Sequence, residues 1–170
     1  MRFLARTACP TQSVTSNLCD NILFLFGGYN EKEMNETVLS RIPVYIGHNP
    51  AGTSIQNMMH YAQSYEHKNF QMYDYGSSSK NTQHYGQTAP PIYDVNKIET
   101  PVALFWGVSD SLAHPGDVQR MIPKLQNLVL NKRIDHWMHL DFIWAMDAPR
   151  VCYDDIIRII EQTETASRES

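Results

Sequence analysis

The sequence runs to 170 residues, with 19% charged residues and a formal net charge of −4. That length supports one modest domain with its own core. The scattered basic residues leave no electrostatic footprint for nucleic acid and no polybasic patch for an anionic membrane. The longest apolar run, Ile22 to Phe26, is far too short to span a bilayer. Nine tyrosines and three tryptophans suit an apolar ligand surface, but suit ordinary core and surface filling as well.

The opening residues, MRFLARTACP, lack the apolar core of a secretion signal, which taken literally predicts a cytosolic chain. Two features point the other way. Cys9 and Cys19 lie close together, and Asn35-Glu36-Thr37 is an N-glycosylation sequon. Composition therefore leaves the compartment open. Cys152 falls on the inward side of a helical pattern and reads as a small apolar residue.

In chain order, Leu18, Ile22, Leu23 and Phe26 recur at helical spacing, and Gly27-Gly28 ends that helix. A polar link from Asn30 to Ser40 comes next. Thr53 to Gln56 fits a capping box with Thr53 as N-cap, and Ile55, Met58, Met59, Ala62 and Tyr65 then share one helical face. Lys68 to Pro91, rich in polar and aromatic residues, reads as a long loop. Val102 to Trp106 is a continuous apolar run, as in a strand buried on both faces. Asp117 is placed to cap a short helix carrying Val118, Met121 and Ile122, closed near Pro123. Leu128 to Ile134 alternates as a second strand, and a last helix begins at Asp147-Ala148-Pro149 with Cys152, Ile156, Ile159 and Ile160 inward. Strand, helix, strand, helix at these lengths predicts a parallel βαβ unit with a covering helix.

One stretch imitates a nucleophile. VYIGHNPAGTS, Val44 to Ser54, nearly spells the G-x-S-x-G turn of serine hydrolases, with Asn49 in the serine's place. The residue after a working nucleophile gives its N–H to the oxyanion hole, and here that residue is Pro50, which has none. Ser54 and Ser109 each stand two residues after a glycine, but neither has the second glycine. The stretch is the lead-in to a helix, and no serine in the chain satisfies the pattern.

Functional groups of open parallel sheets gather at the carboxyl ends of the strands. Asp110 lies just past the first strand; His136 and His139 lie just past the second. An acid after one strand and a histidine after the next is the layout of the last two members of a Ser-Asp-His triad, in which the carboxylate fixes the imidazole's tautomer and stabilises the imidazolium. Turn residues that merely cap strand ends would share this layout. A metal reading would draw on His114, Asp117, His136 and His139, but no established zinc spacing is present.

The segment HLDFIWAMDAP, His139 to Pro149, strongly resembles the region around the catalytic histidine of the acid lipases, the gastric and lysosomal acid lipase family of the α/β-hydrolases. HNPAGTSIQNMMH resembles that family's return from the cap into the core, YDYGSSSKNTQHYGQTAPPIYDV its next loop, and DSLAHPGDV the turn holding the catalytic aspartate. The resemblance runs from about Ala8 to Ile160. It implies that Asp110 is the triad acid and His139 the general base, with His136 outside the matching stretch. It also implies a disulfide between Cys9 and Cys19 in the cap and a glycan on Asn35, while a third cap cysteine of the family is replaced near Gly27.

For the fold, the resemblance implies the carboxy-terminal part of an α/β-hydrolase, its last parallel strands and helices, preceded by part of a helical cap. The expected divisions are residues 1–48 for the partial cap, 49–163 for the core and 164–170 for a polar tail. The implied activity is hydrolysis of neutral lipid esters, triacylglycerol or cholesteryl ester, at a lipid–water interface by a secreted or lysosomal glycoprotein, with no cofactor or metal. The family's G-H-S-x-G elbow and its oxyanion-hole segment would both precede this sequence, so the expected reading is a fragment inactive by itself. The alternative is a stand-alone, non-catalytic lipase-like protein that binds lipid or a protein partner.

Overall fold

Alternating apolar residues in Leu128–Ile134 and the apolar run Val102–Gly107 form the two strands found among the described residues, β2 and β1. The computed structural model describes Gly27, Gly28, Asn30, Glu33, Arg41, Val44, Tyr45 and residues 52–67 and 69–169. Cys9, Cys19, Asn35 and the helix expected around Leu18 to Phe26 lie outside them. The chain divides into two compact units, one of Met1–Asn49 with Thr100–Ser170 and the other of Pro50–Glu99.

In the first unit β1 and β2 pair in parallel, from Ala103 opposite Leu130 to Gly107 opposite Ile134. The register shifts at the start, so Val129 is the extra residue of a bulge. The connection between them carries helix α1, Pro115–Met121, and then a 3₁₀ turn Ile122–Lys124, as the βαβ expectation required. The cap of α1 is a correction. His114, not Asp117, occupies the N-cap, its Nδ1 accepting from the Gly116 N–H at 3.1 Å, because Pro115 already sits at the first helical position. Asp117 instead lies in the first turn and pairs with Arg120.

β1 is also less enclosed than an apolar run suggests, with only Trp106 and Gly107 fully buried. The core lies beyond its carboxyl end: Ile134, Trp137, Ala145, Ala148 and Cys152 form it, with Phe105, Phe142, Val151, Tyr153 and Ile156 packed around. Trp137 is 0% exposed and meets Phe142 edge to face at 4.9 Å, a geometry that adds about 1 kcal/mol to the area term. Helix α2, Asp141–Trp144, leads to a π-helical turn, Pro149–Tyr153, and then to helix α3, Asp154–Glu169. Of the residues expected inward, Cys152 is buried and Ile156 and Ile159 are half-buried, but Ile160, further along α3 from the core cluster, is exposed. Lys132 of β2 pairs with Asp155 of α3 at 2.6 Å, tying strand to helix.

The second unit has helix α4, Ile55–Glu66, and helix α5, Ser78–Tyr85. The N-cap of α4 is Ser54, one residue later than expected, its hydroxyl accepting from Asn57 N at 3.0 Å. The apolar face read from the sequence is exposed at Ile55, Met58, Met59 and Tyr65. Within the stretch expected as loop, α5 is capped by Ser77 and ended by Gly86 at φ 71°. It escaped notice because its only buried residue is polar: Asn81 holds Tyr75 N at 3.0 Å, Asp74 Oδ1 at 3.0 Å and Thr88 O at 3.2 Å. The Gly76 N–H and then the Asn81 amide hold the Asp74 carboxyl below the ordinary carboxylate range. Polar bonds and stacked rings, such as Tyr75 on His84 at 3.6 Å, organise this unit, and none of its described apolar side chains is fully buried.

Candidate active site

The ends of β1 and β2 are laced together before Asp110 and His139 are reached. Val108 N–H donates to Ile134 O at 3.0 Å, and Ser109 N–H to Trp137 O at 3.1 Å. Gly107 makes this close approach possible, because a Cβ there would run into the Trp137 carbonyl. With the two loops joined in this way, Asp110 and His139 face each other.

Asp110 is only 4% exposed, and each carboxylate oxygen has a task. Oδ1 accepts from the N–H groups of Leu112 at 2.9 Å and Ala113 at 2.8 Å, while Oδ2 accepts from His139 Nδ1 at 3.1 Å. Two backbone donors fix the carboxyl plane, so the second oxygen points at the imidazole. A carboxylate only accepts, so Nδ1 is the donor, and in the neutral ring the lone pair then lies on Nε2. The His139 side chain is 43% exposed, leaving that nitrogen reachable by a proton donor. This is the orientation a general base requires.

A second layer holds the loop that carries His139. Asp141 is fully buried, and its Oδ2 accepts from Met138 N–H at 2.7 Å and from the Asn30 amide at 2.8 Å. The same Asn30 amide donates to His136 O at 2.7 Å. Asp141 Oδ1 has no hydrogen-bond partner among the described residues. Burial pushes the Asp141 carboxyl up, with the bonds from Met138 and Asn30 opposing. Gly27 and Gly28 lie directly against Leu140 and Met138, leaving no room for a side chain at either.

His136 lies apart from the Asp110 pair. Its Nε2 is 3.4 Å from Glu33 Oε1 and 3.8 Å from Asp147 Oδ2. Burial, then the hydrogen bond and charge of Asp147, raise the Glu33 carboxyl above its ordinary value, with His136 pulling the other way. The four residues of the metal reading are not brought together, since His139 turns to Asp110, His114 caps α1, Asp117 meets Arg120 and His136 meets Glu33 and Asp147. Sequence reasoning assigned no role to Asn30, Glu33, Asp141 or Asp147. Asp141 offered a signal: a lone charge set within the apolar run of HLDFIW is a candidate for burial with partners.

An acid and a histidine in contact at the carboxyl ends of parallel strands match the layout of the last two members of an α/β-hydrolase triad. No family model matches the sequence. Similarity to individual proteins is extensive. The chain is 45% identical over 161 residues to gastric triacylglycerol lipase of Homo sapiens, covering 95% of this chain and 39% of that protein. It is 41% identical over 162 residues to lysosomal acid lipase/cholesteryl ester hydrolase of Homo sapiens, covering 95% and 40% respectively. Lipase member K of Homo sapiens is 38% identical over 161 residues, 95% of this chain and 39% of that protein. Over nearly its whole length the chain is similar to the acid lipases, corresponding to a carboxy-terminal portion and spanning about two fifths of the length of these relatives.

Proposed function

We propose that this chain supplies the acid and the base of a Ser-Asp-His ester hydrolase acting on neutral lipid esters. One observation carries the reading: the buried Asp110 carboxylate, its other oxygen held by two backbone N–H groups, accepts a hydrogen bond from Nδ1 of a half-exposed His139. In that arrangement Nε2 of His139 accepts the proton of an attacking serine hydroxyl as its oxygen bonds to the ester carbonyl carbon. The imidazolium then returns the proton to the departing alcohol, and water repeats the cycle to release the fatty acid. Asp110 holds the ring in place and stabilises the imidazolium.

The names of the relatives support triacylglycerol or cholesteryl ester as the substrate class and a gastric (secreted) or lysosomal setting. Among the described residues no helix is long and apolar enough to cross a membrane. On this reading residues 1–48 contribute to a cap, 49–163 to the hydrolase core and 164–170 to a polar tail. No serine of the 170 residues stands in G-x-S-x-G. The nucleophile and oxyanion donors must therefore come from outside this sequence, and the 170 residues alone should not turn over esters.

The test is a chimera. The chain is joined to the amino-terminal portion of human gastric triacylglycerol lipase that it does not match, and hydrolysis of a triacylglycerol emulsion is monitored. The isolated chain should read background and the chimera should release fatty acid. His139→Ala in the chimera should return it to background. Retained hydrolysis in that variant, or esterase activity of the isolated chain that His139→Ala leaves intact, would refute the assignment. A correctly folded but inert chimera would favour a non-catalytic lipid- or protein-binding role.

A further inference from the structure

We propose that Glu33, His136 and Asp147 form a binding site for a single divalent transition-metal ion, with Zn²⁺ the best match. One imidazole nitrogen and two carboxylate oxygens, carried by three separate segments, all lie within 4.8 Å of one another. Donors bound at about 2.0 Å to a tetrahedral zinc are about 3.3 Å apart. The 3.4 Å from His136 Nε2 to Glu33 Oε1 and the 3.8 Å to Asp147 Oδ2 come within a few tenths of an ångström of that edge. Calcium and magnesium prefer more numerous, all-oxygen ligands, so the mixed nitrogen and oxygen set selects zinc and its transition-metal neighbours.

The surroundings hold the three donors in place independently of an ion. Trp137 Nε1–H donates to Asp147 Oδ1 at 3.3 Å, which turns Oδ2 toward His136. Asn30 holds the His136 carbonyl at 2.7 Å, and Met146 N–H donates to Glu33 O at 3.3 Å, binding the first ligand's backbone beside the third's. Such outer partners are what a metal site needs to orient its ligands. Two neighbouring carboxyl groups create a negative spot. Among the described residues a cation paired with it is the largely exposed Arg150 guanidinium, 3.6 Å from Asp147 Oδ2, which can swing into solvent as the ion enters.

Three protein ligands leave a fourth position for water. An ion there would join the Glu33 segment, the loop after β2 and the turn before α3, while leaving Asp110 and His139 untouched. Its role is therefore to clasp the loop that carries the histidine, and the proposal stands whether or not the chain takes part in ester hydrolysis.

The test uses the whole 170-residue chain and ZnCl₂ alone, with binding measured by calorimetry at neutral pH. One Zn²⁺ should bind per chain and raise the thermal unfolding midpoint as its concentration rises. Glu33→Gln, His136→Gln and Asp147→Asn should each weaken binding by about 10-fold or more, whereas His114→Gln should not. Undiminished binding in a Glu33→Gln/His136→Gln double variant would assign the ion to other histidines and overturn the site, as would the absence of saturable binding. Histidine ring signals of the unsubstituted chain provide a readout that no misfolded variant can obscure. Zn²⁺ should shift the His136 ring and not those of His114 or His139, and the reverse pattern refutes the proposal.

Discussion

Asn30 and Asp141, 111 positions apart in the sequence, are joined by a 2.8 Å hydrogen bond in the interior, and Asn30 passes the connection on to the His136 carbonyl. Asp141 also accepts from the Met138 N–H at 2.7 Å, so one buried carboxyl gathers the backbone of Met138 and, through Asn30, of His136, just ahead of His139. Removing it leaves two donors without an acceptor inside the protein, and each such orphan costs about 1–3 kcal/mol. Asp141→Ala should therefore lower stability by roughly 2–5 kcal/mol, read as a fall in the urea midpoint at an unchanged slope. A loss under about 0.5 kcal/mol, the range of ordinary surface substitutions, would show that the network contributes little.

The same carboxyl sets a pH dependence. Burial raises the folded-state pKa of Asp141, and burial together with Asp147 raises that of Glu33. A raised folded value means the native state binds more protons than the unfolded chain. Its contribution to stability is then fully present below the unfolded carboxyl values near pH 4 and is lost as pH climbs through the folded values. Asp155, lowered by Arg158 and then Lys132, works in the opposite sense and is screened at the surface. Asp141→Asn separates the two, since the amide keeps an acceptor for Met138 and Asn30 but never ionises. Near pH 4 the variant should match the parent, and by pH 7 it should be the more stable of the two. Unfolding curves across that range measure the crossover, and parallel profiles would contradict the assignment.

Gly107 bears on both stability and the site. A methyl group there meets the Trp137 carbonyl, so Gly107→Ala must separate β1 from the loop after β2. Overpacking of this kind costs about 1–3 kcal/mol. The loops that separate carry Asp110 and His139, so the Nδ1 proton of His139 should move upfield and exchange faster as its 3.1 Å bond lengthens. Gly76→Ala is the control, because nothing lies within 4 Å of its added carbon, although its φ of 81° carries a backbone cost of its own. An unaltered His139 proton in Gly107→Ala would show that the two loops tolerate separation.

The outcome at particular residues explains what was legible in the sequence. β1, β2 and the carboxyl-end positions of Asp110 and His139 were readable because hydrophobic patterning and strand-end topology are local signals. The caps at Ser54 and His114 were missed by small shifts, since several polar residues compete at each helix start and only the backbone path decides between them. α5 was hidden because its stabilising contacts are amide bonds from Asn81 and not an apolar stripe. The Asn30–Asp141 bond joins distant segments, and no periodicity in a single sequence can announce it.

Cys152 permits a direct check on the core. It is 2% exposed, and burial pushes its thiol above the ordinary value, so the nucleophilic thiolate is scarce at neutral pH. Maleimide treatment of the folded chain and subsequent mass mapping should leave Cys152 unlabelled until denaturant is added. Rapid labelling under native conditions would mean that the core cluster containing Cys152, Ala148 and Trp137 opens readily.

The most demanding prediction concerns Asp110. Its Oδ1 is held by Leu112 and Ala113, both N–H donors, so replacement by asparagine would require the amide to keep its oxygen there and present its NH₂ to His139. Two donors would then face each other across the position of the 3.1 Å bond, and the imidazole would relieve the conflict by moving its proton to Nε2. That tautomer has no lone pair with which to accept a serine proton. In the chimera, Asp110→Asn should lower kcat by about 10⁴ with little change in KM. The residual rate should rise with pH as hydroxide replaces the missing base, and the urea midpoint should shift only slightly. A drop of tenfold or less would place the acid of the relay elsewhere, whereas a similar drop caused by unfolding would appear in the circular dichroism spectrum and in a collapse of substrate binding.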